Sequence, residues 1–341
     1  MTLPNNSLIR KTTLFLVAAM FSLSAVAADF KENQRLADQG NASAQYNLGV
    51  MYYKGDGVLQ DRSKATEWFK KAANQGHTKA QYNLEAMITN NTRVQQDSAK
   101  AAEWYEKAAN QGDPKAQLLM GMMYARGDGV HQDSAKAAEW YKKAANQGNS
   151  GAQTFLGLMY SEGDGVRQDS AKAAEWYEKA ANQGDAFAQT YLGKMYSKGD
   201  GVRQDSAKAA EWYEKAANQG NSLAQLNLGV LYHQGDGVRQ DYAKAAKWYE
   251  KAADQDEIEA QFLLAMAYLG GKGVRQDYAR TAEWLEKAAN QGDSRAQFFL
   301  GMLYSGGKGV RQDMNIAKEY FGKACDGGLQ DGCDKYRKLN Q

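Results

Sequence analysis

Proline is almost missing from this sequence, with 2 residues in 341, and histidine and cysteine are nearly as scarce, with 3 and 2. With 34 glycines and abundant alanine, glutamine and tyrosine, so little proline argues against collagen and against disorder, and suits many short helices joined by glycine turns. His77, His131 and His233 stand at unrelated places without a second ligand at metal-binding spacing, so no metal site is expected. No apolar run is long enough to span a membrane.

Charge of one sign is also lacking. Residues 1–27 read as a secretory signal peptide: Arg10 and Lys11 precede an apolar run from Leu14 to Leu23, and Ala25-Val26-Ala27 places small residues before a cut at Ala28. The alternative, an anchor left in place, fits the short run less well. No cysteine lies near the cut to carry a lipid. Removing Arg10 and Lys11 brings the 42 basic residues to parity with the 40 acidic ones. A neutral chain offers no global field for nucleic acid or an anionic membrane.

What the sequence has in plenty is repetition. Trp68, Trp104, Trp140, Trp176, Trp212, Trp248 and Trp284 recur every 36 residues, Tyr320 takes the eighth place, and Ala-Gln pairs keep the same step from Ala44-Gln45 to Ala296-Gln297. Each unit reads as two helices. In residues 149–184, Asn149 caps a first helix with Ala152, Leu156, Met159 and Tyr160 at helical spacing, and Gly163 and Gly165 end it. Asp169 caps a second, which runs through Ala173, Trp176, Tyr177 and Ala180-Ala181 to Gly184. Pro114, directly after Asp113, belongs in a first helical turn. No hairpin can bury its apolar faces alone, whereas stacked hairpins can.

The expected fold class is therefore all-α, a solenoid of stacked helix-turn-helix hairpins. Residues 28–40 form an N-terminal capping helix, repeats occupy 41–76, 77–112, 113–148, 149–184, 185–220, 221–256, 257–292 and 293–328, and 329–341 form a C-terminal capping helix. Repeat two is irregular, with Asn90-Asn91-Thr92-Arg93 in place of the glycine turn and Glu85 in place of a small residue, which predicts a local bend or looser packing.

The unit carries Leu192-Gly193-x-x-Tyr196, then Gly199-Asp200-Gly201-Val202, then Ala209-Ala210-Glu211-Trp212-Tyr213-x-x-Ala216-Ala217. It resembles the Sel-one-like repeat family, relatives of the tetratricopeptide repeats, over roughly residues 29–341. The resemblance implies a right-handed superhelix used as an adaptor or scaffold, in bacteria often periplasmic or secreted and acting in envelope or host interactions. Some exported members have been described as penicillin-binding, which supplies the alternative function: a periplasmic hydrolase or binder of peptidoglycan-like or penicillin-like ligands.

Cys325 and Cys333 face each other across the last helix-helix turn, so an oxidising compartment would join them, stabilising the terminal cap by about 2–4 kcal/mol. A cysteine-rich branch of the resembled family has such a bridge at similar spacing. Signals of catalysis are weak. Ser305-Gly306-Gly307-Lys308 matches the Ser-x-x-Lys pattern of penicillin-recognising enzymes but lies in a glycine turn without partner motifs. The Gly-Asp-Gly turns lack phosphate-loop and calcium-loop patterns. No cofactor is expected.

Two surfaces could bind a partner. In tetratricopeptide-like arrays the first helices line the concave face, and here the positions that vary between repeats lie on that helix: Tyr46, Val50 and Tyr53, then Leu118, Met122, Phe187, Lys194, Leu226, Val230, Phe262, Met266, Phe298 and Met302, with His233 among them. These suit capture of a peptide or partner helix, although such stripes also serve as inter-repeat packing. Arg167, Arg203, Arg239, Arg275 and Arg311 form a row at matched turn positions, roughly 10 Å apart on helix diameters, which an anionic glycan could follow. An Asp two residues after each arginine suggests instead a self-neutralised rim. The leading expectation is a monomeric, exported, non-enzymatic scaffold holding a protein or peptide.

Overall fold

The structure is a computed structural model that describes residues 30–77, 79–80, 83–84 and 94–340. The expected signal segment and the expected irregularities at Glu85 and Asn90 to Arg93 lie outside the described residues. Among the described residues all regular structure is helical, and no strand occurs.

The chain divides into two compact units, residues 1–152 with 164–166 and residues 153–163 with 167–341. The first unit contains helices Ala42–Lys54, Arg62–Asn74, Val94–Asn110, Pro114–Arg126 and Ser134–Asn146, and residues 30–38 are also helical. Helix Ser150–Glu162 spans the division. The second unit continues with Ser170–Asn182, Ala186–Lys198, Ser206–Asn218, Ser222–Gln234, Tyr242–Ala253, Ile258–Gly270, Tyr278–Asn290, Ser294–Gly306, Met314–Asp326 and Gln330–Lys338. Within each unit, helices adjacent in the chain pack on one another, the arrangement of an all-α repeat solenoid.

Local chemistry sets each boundary. Helix Ser206–Asn218, 13 residues of mostly Ala, Glu and Lys, starts where Asp205 accepts a hydrogen bond from the Lys208 amide at 3.0 Å. It buries Ala209, Ala210, Tyr213, Ala216 and Ala217, one face of a 3.6-residue period. Pro114 does occupy a first helical turn, behind Asp113, whose carboxylate accepts from the amides of Lys115 and Ala116 at 2.8 and 3.0 Å.

Two glycines bring neighbouring elements close. A Cβ on Gly193 would lie 2.8 Å from the ring of Tyr213, so the small residue after Leu192 makes room for the next helix's tyrosine. Gly201, at φ 69°, lies where a Cβ would collide with the Ser170 carbonyl of the preceding repeat. The turn glutamines add a clasp: Gln204 Nε2 donates to the Ser197 carbonyl at 3.0 Å, tying the turn to the helix it leaves.

A second set of glutamines runs through the core. Gln189, buried, donates from Nε2 to the Ala181 carbonyl at 3.0 Å and accepts at Oε1 from Gln219 Nε2 at 2.8 Å. The same acceptor bond recurs at Gln225 from Gln255 and at Gln261 from Gln291, at 2.8 and 3.0 Å. A buried amide bonded at both ends escapes the desolvation cost that an unpaired one incurs. At Gln297 the series stops: the position that would supply its donor is Gly327, and Gln297 Oε1 is left buried without a partner.

The tryptophans flank the buried face of the second helices, and Trp68, Trp140 and Trp284 are buried themselves. Lys71, Lys143, Lys179, Lys215, Lys251 and Lys287 each lie 3.7–4.0 Å over the ring of the tryptophan three residues before. At the C-terminal end Cys325 and Cys333 form a disulfide, Cα to Cα 4.5 Å, that links helices Met314–Asp326 and Gln330–Lys338.

Candidate functional site

The first-helix stripe separates into core and surface. Leu226 and Phe262 are buried, 7% and 9% exposed, in one apolar cluster with Leu264 and Leu300, so neither is free to anchor a partner. Phe262 has a specific cover: the Arg295 guanidinium lies 4.3 Å over its ring and is held there by Glu259 and Asp293, each at 2.6 Å. Tyr46 is half-buried, stacked on His77 at 4.6 Å, and Phe298 packs on Phe299 and Phe321, both at 5.7 Å. Val50, Leu118, Met122, Val230 and Met266 are half-buried.

Phe187, Lys194, Met302 and Tyr53 are exposed, Phe187 at 65%. Leu223, absent from the stripe as read from the sequence, is 42% exposed and stands one period after Phe187 at the same helix position. The period alone would have found it. An exposed phenylalanine and leucine at matched places on consecutive first helices form an apolar ledge that folding leaves uncovered.

Helices Ser150–Glu162 and Ala186–Lys198, the second of which carries Phe187 in its first turn, line a cavity of about 200 Å³. Leu158, Tyr191 and Met195 line it, Glu162, Lys194, Lys198 and Asp200 stand at its edge, and Tyr177 forms its floor. The Tyr177 hydroxyl is buried without a hydrogen-bond partner, and Tyr191 stacks on its ring at 5.1 Å. Burial, with Tyr191 and Glu162 nearby, raises the Tyr177 pKa well above the ordinary phenol range, so the group stays neutral and able to donate. The sequence places Tyr177 on a second helix among its equivalents, and nothing in a repeated tyrosine reveals which copy lacks a partner.

The turn edge differs from the expected self-neutralised rim. Asp169 and Asp205, two residues after Arg167 and Arg203, accept from the backbone amides of Lys172 and Lys208, each at 3.0 Å. Lys172, not Arg167, pairs with Asp169, at 3.1 Å. These aspartates serve the helix start, and among the described residues no ion pair engages the guanidinium of Arg167, Arg203, Arg239, Arg275 or Arg311, all exposed.

Ser305 and Lys308 are not brought together: the hydroxyl donates to the Met302 carbonyl at 3.0 Å, and the ammonium lies 5.6 Å over the Tyr278 ring. His77 stacks on Tyr46 and His233 meets Tyr242 edge-on at 5.0 Å. Among the described residues no cluster of His, Cys, Asp or Glu could hold a metal ion, and no helix is long and apolar enough to cross a membrane.

Paired helices at a fixed step, with the repeated residues committed to the stack and the variable ones left on first helices and turns, define a helical-repeat scaffold. The chain belongs to the Sel1 repeat family, whose profile matches residues 42–77, 91–113, 114–149, 150–185, 186–221, 222–257, 258–293 and 294–329. Sel1 repeat proteins generally mediate protein–protein interactions and are generally not enzymes. The chain is similar to a protective antigen of uropathogenic Escherichia coli that displays this fold, at 38% identity and TM-score 0.81 over 90% of this chain, and it spans 66% of the antigen's length. It is also similar to a Sel1 repeat protein of Oxalobacter formigenes, at 34% identity and TM-score 0.69 over 93% of both chains. No curated protein matches the chain.

Proposed function

We propose that this protein is an exported, non-enzymatic scaffold that holds a protein or peptide against the first helices of repeats four to six. The observation that carries the reading is the exposed pair Phe187 and Leu223, with the Tyr177 cavity on the same helix as Phe187. Exposed apolar anchors together with a cavity of side-chain size have the layout in which a few residues supply most of the affinity. A partner side chain entering the cavity would meet Leu158, Tyr191 and Met195 along its stem and the unpaired Tyr177 hydroxyl at its tip. Export is supported by the Cys325–Cys333 disulfide, which persists in oxidising compartments, by the signal-like pattern of residues 1–27, and by the likeness to an antigen.

The test is affinity capture from envelope and host-cell extracts with the native chain and with F187E/L223E as paired baits. Both residues are exposed, so the variant keeps the native circular dichroism spectrum. A partner held by the native chain and lost by the variant supports the reading. A partner held equally by both refutes it for this surface.

A further inference from the structure

The same notch occurs in repeats five and seven, where the turn meets the following second helix, and comparing the two exposes a change of charge. In repeat five the notch, about 620 Å³, is lined by Tyr196, Arg203, Asp205 and Lys208. The next turn adjoins it: Gly237 abuts the Ser206 carbonyl, and Asp236 directly precedes Gly237. Two cations thus face two carboxylates. In repeat seven the notch, about 600 Å³, holds Arg275, Asp277 and Arg280, with Tyr278 in place of Ser206. Lys308 takes the place of Asp236, and its ammonium lies 5.6 Å over the Tyr278 ring. Three cations face one carboxylate.

Repeat six has the same exchange, Tyr242 with Lys272 at 5.6 Å. Serine goes with aspartate at 170/200 and 206/236, and tyrosine with lysine at 242/272 and 278/308, so the two positions change together. The single carboxylate in repeat seven is already committed, since Asp277 accepts from the Arg280 amide at 3.0 Å. Arg280 donates to the Tyr268 hydroxyl at 2.9 Å, whereas Arg275 makes no ion pair and points its donors at solvent.

We propose that the turns of repeats six to eight bind a short acidic peptide segment of a protein partner, its carboxylates on Arg239 with Lys272 and on Arg275 with Lys308, and its intervening apolar side chains on Tyr242 and Tyr278. Guanidinium groups take carboxylates through two parallel hydrogen bonds, and tyrosine rings offer apolar area between the charges. One repeat separates the notches, roughly 10 Å on helix dimensions, which an extended peptide covers in about three residues. The arginine row does not make a continuous track for a long polyanion, because Asp164, Asp200 and Asp236 stand between the turn glycines of repeats four to six.

The experiment measures anisotropy of a short fluorescein-labelled peptide alternating glutamate with leucine, added to the intact chain across a salt series. K272D/K308D restores the residue that stands between the same two glycines in repeats four to six, so the turns keep their geometry. It should weaken binding by about tenfold or more and flatten the salt dependence. Adding S206Y/D236K to that variant, which rebuilds the notch in repeat five, should recover part of the affinity. Equal binding by the native chain and K272D/K308D, or no recovery in the combined variant, overturns the proposal. Stronger competition by a DNA oligonucleotide or a sulfated polysaccharide than by unlabelled peptide overturns the choice of occupant.

Discussion

Gln219 is exposed on the helix 206–218 side of the stack, and a surface glutamine changed to alanine ordinarily alters stability by less than about 0.5 kcal/mol. Here the cost should be larger, because Gln219 Nε2 is the donor to Gln189 Oε1, and Gln189 is only 4% exposed. Gln219→Ala leaves that oxygen buried without a partner, which costs about 1–3 kcal/mol. In a background of Gln189→Met the oxygen no longer exists, and the same alanine substitution should cost almost nothing beyond its own propensity. The coupling between the two sites is therefore the quantity that isolates the bond. A repeat array does not unfold in one step, so the measurement is native-state hydrogen exchange of amides in helices 186–198 and 206–218. Protection should fall by roughly tenfold for each 1.4 kcal/mol in the single alanine variant and recover in the double. A single-variant effect below about 0.5 kcal/mol, or an equal effect in both backgrounds, would refute the reasoning.

Two further outcomes follow from the structure. Reducing the Cys325–Cys333 bridge, which closes a loop of sequence separation 8, should destabilise helix 330–338 by about 2–3 kcal/mol and leave the preceding repeats unchanged; limited proteolysis with and without dithiothreitol reads this, and unaltered cleavage at the C-terminal end contradicts it. Burial pushes Tyr141 up to about 12 and raises Tyr213 and Tyr249 as well. An acid whose folded pKa is raised loses its contribution as pH climbs from the unfolded phenol value of about 10 towards the folded one, because only the unfolded chain ionises freely. Helix content and tyrosinate absorbance should therefore change together above about pH 10, and full tyrosine ionisation with the helices intact would contradict the burial assignment.

The repeat, the two helices per unit and the cap residues were all legible in the sequence, because each depends on neighbours within a few positions. Asp205 finds the Lys208 amide and Pro114 its first turn whatever lies beyond the hairpin. The likeness of the repeats also made their stacking legible, since the same apolar face occurs in every unit and must meet its next copy. What the sequence left open were the differences among identical residue types. Leu226 and Phe262 read like Phe187, yet the first two enter the core, with Arg295 as a roof on one of them, and the third stays outside. The aspartates after the arginines read as counter-ions, yet the backbone amides take them. Tyr177 reads like Tyr213, yet its hydroxyl lacks a partner over a cavity. Periodicity determines which residues face the stack because the helix imposes it locally. Which of them remain open to a partner depends on groups thirty or more residues away, whose positions only the packed tertiary structure decides.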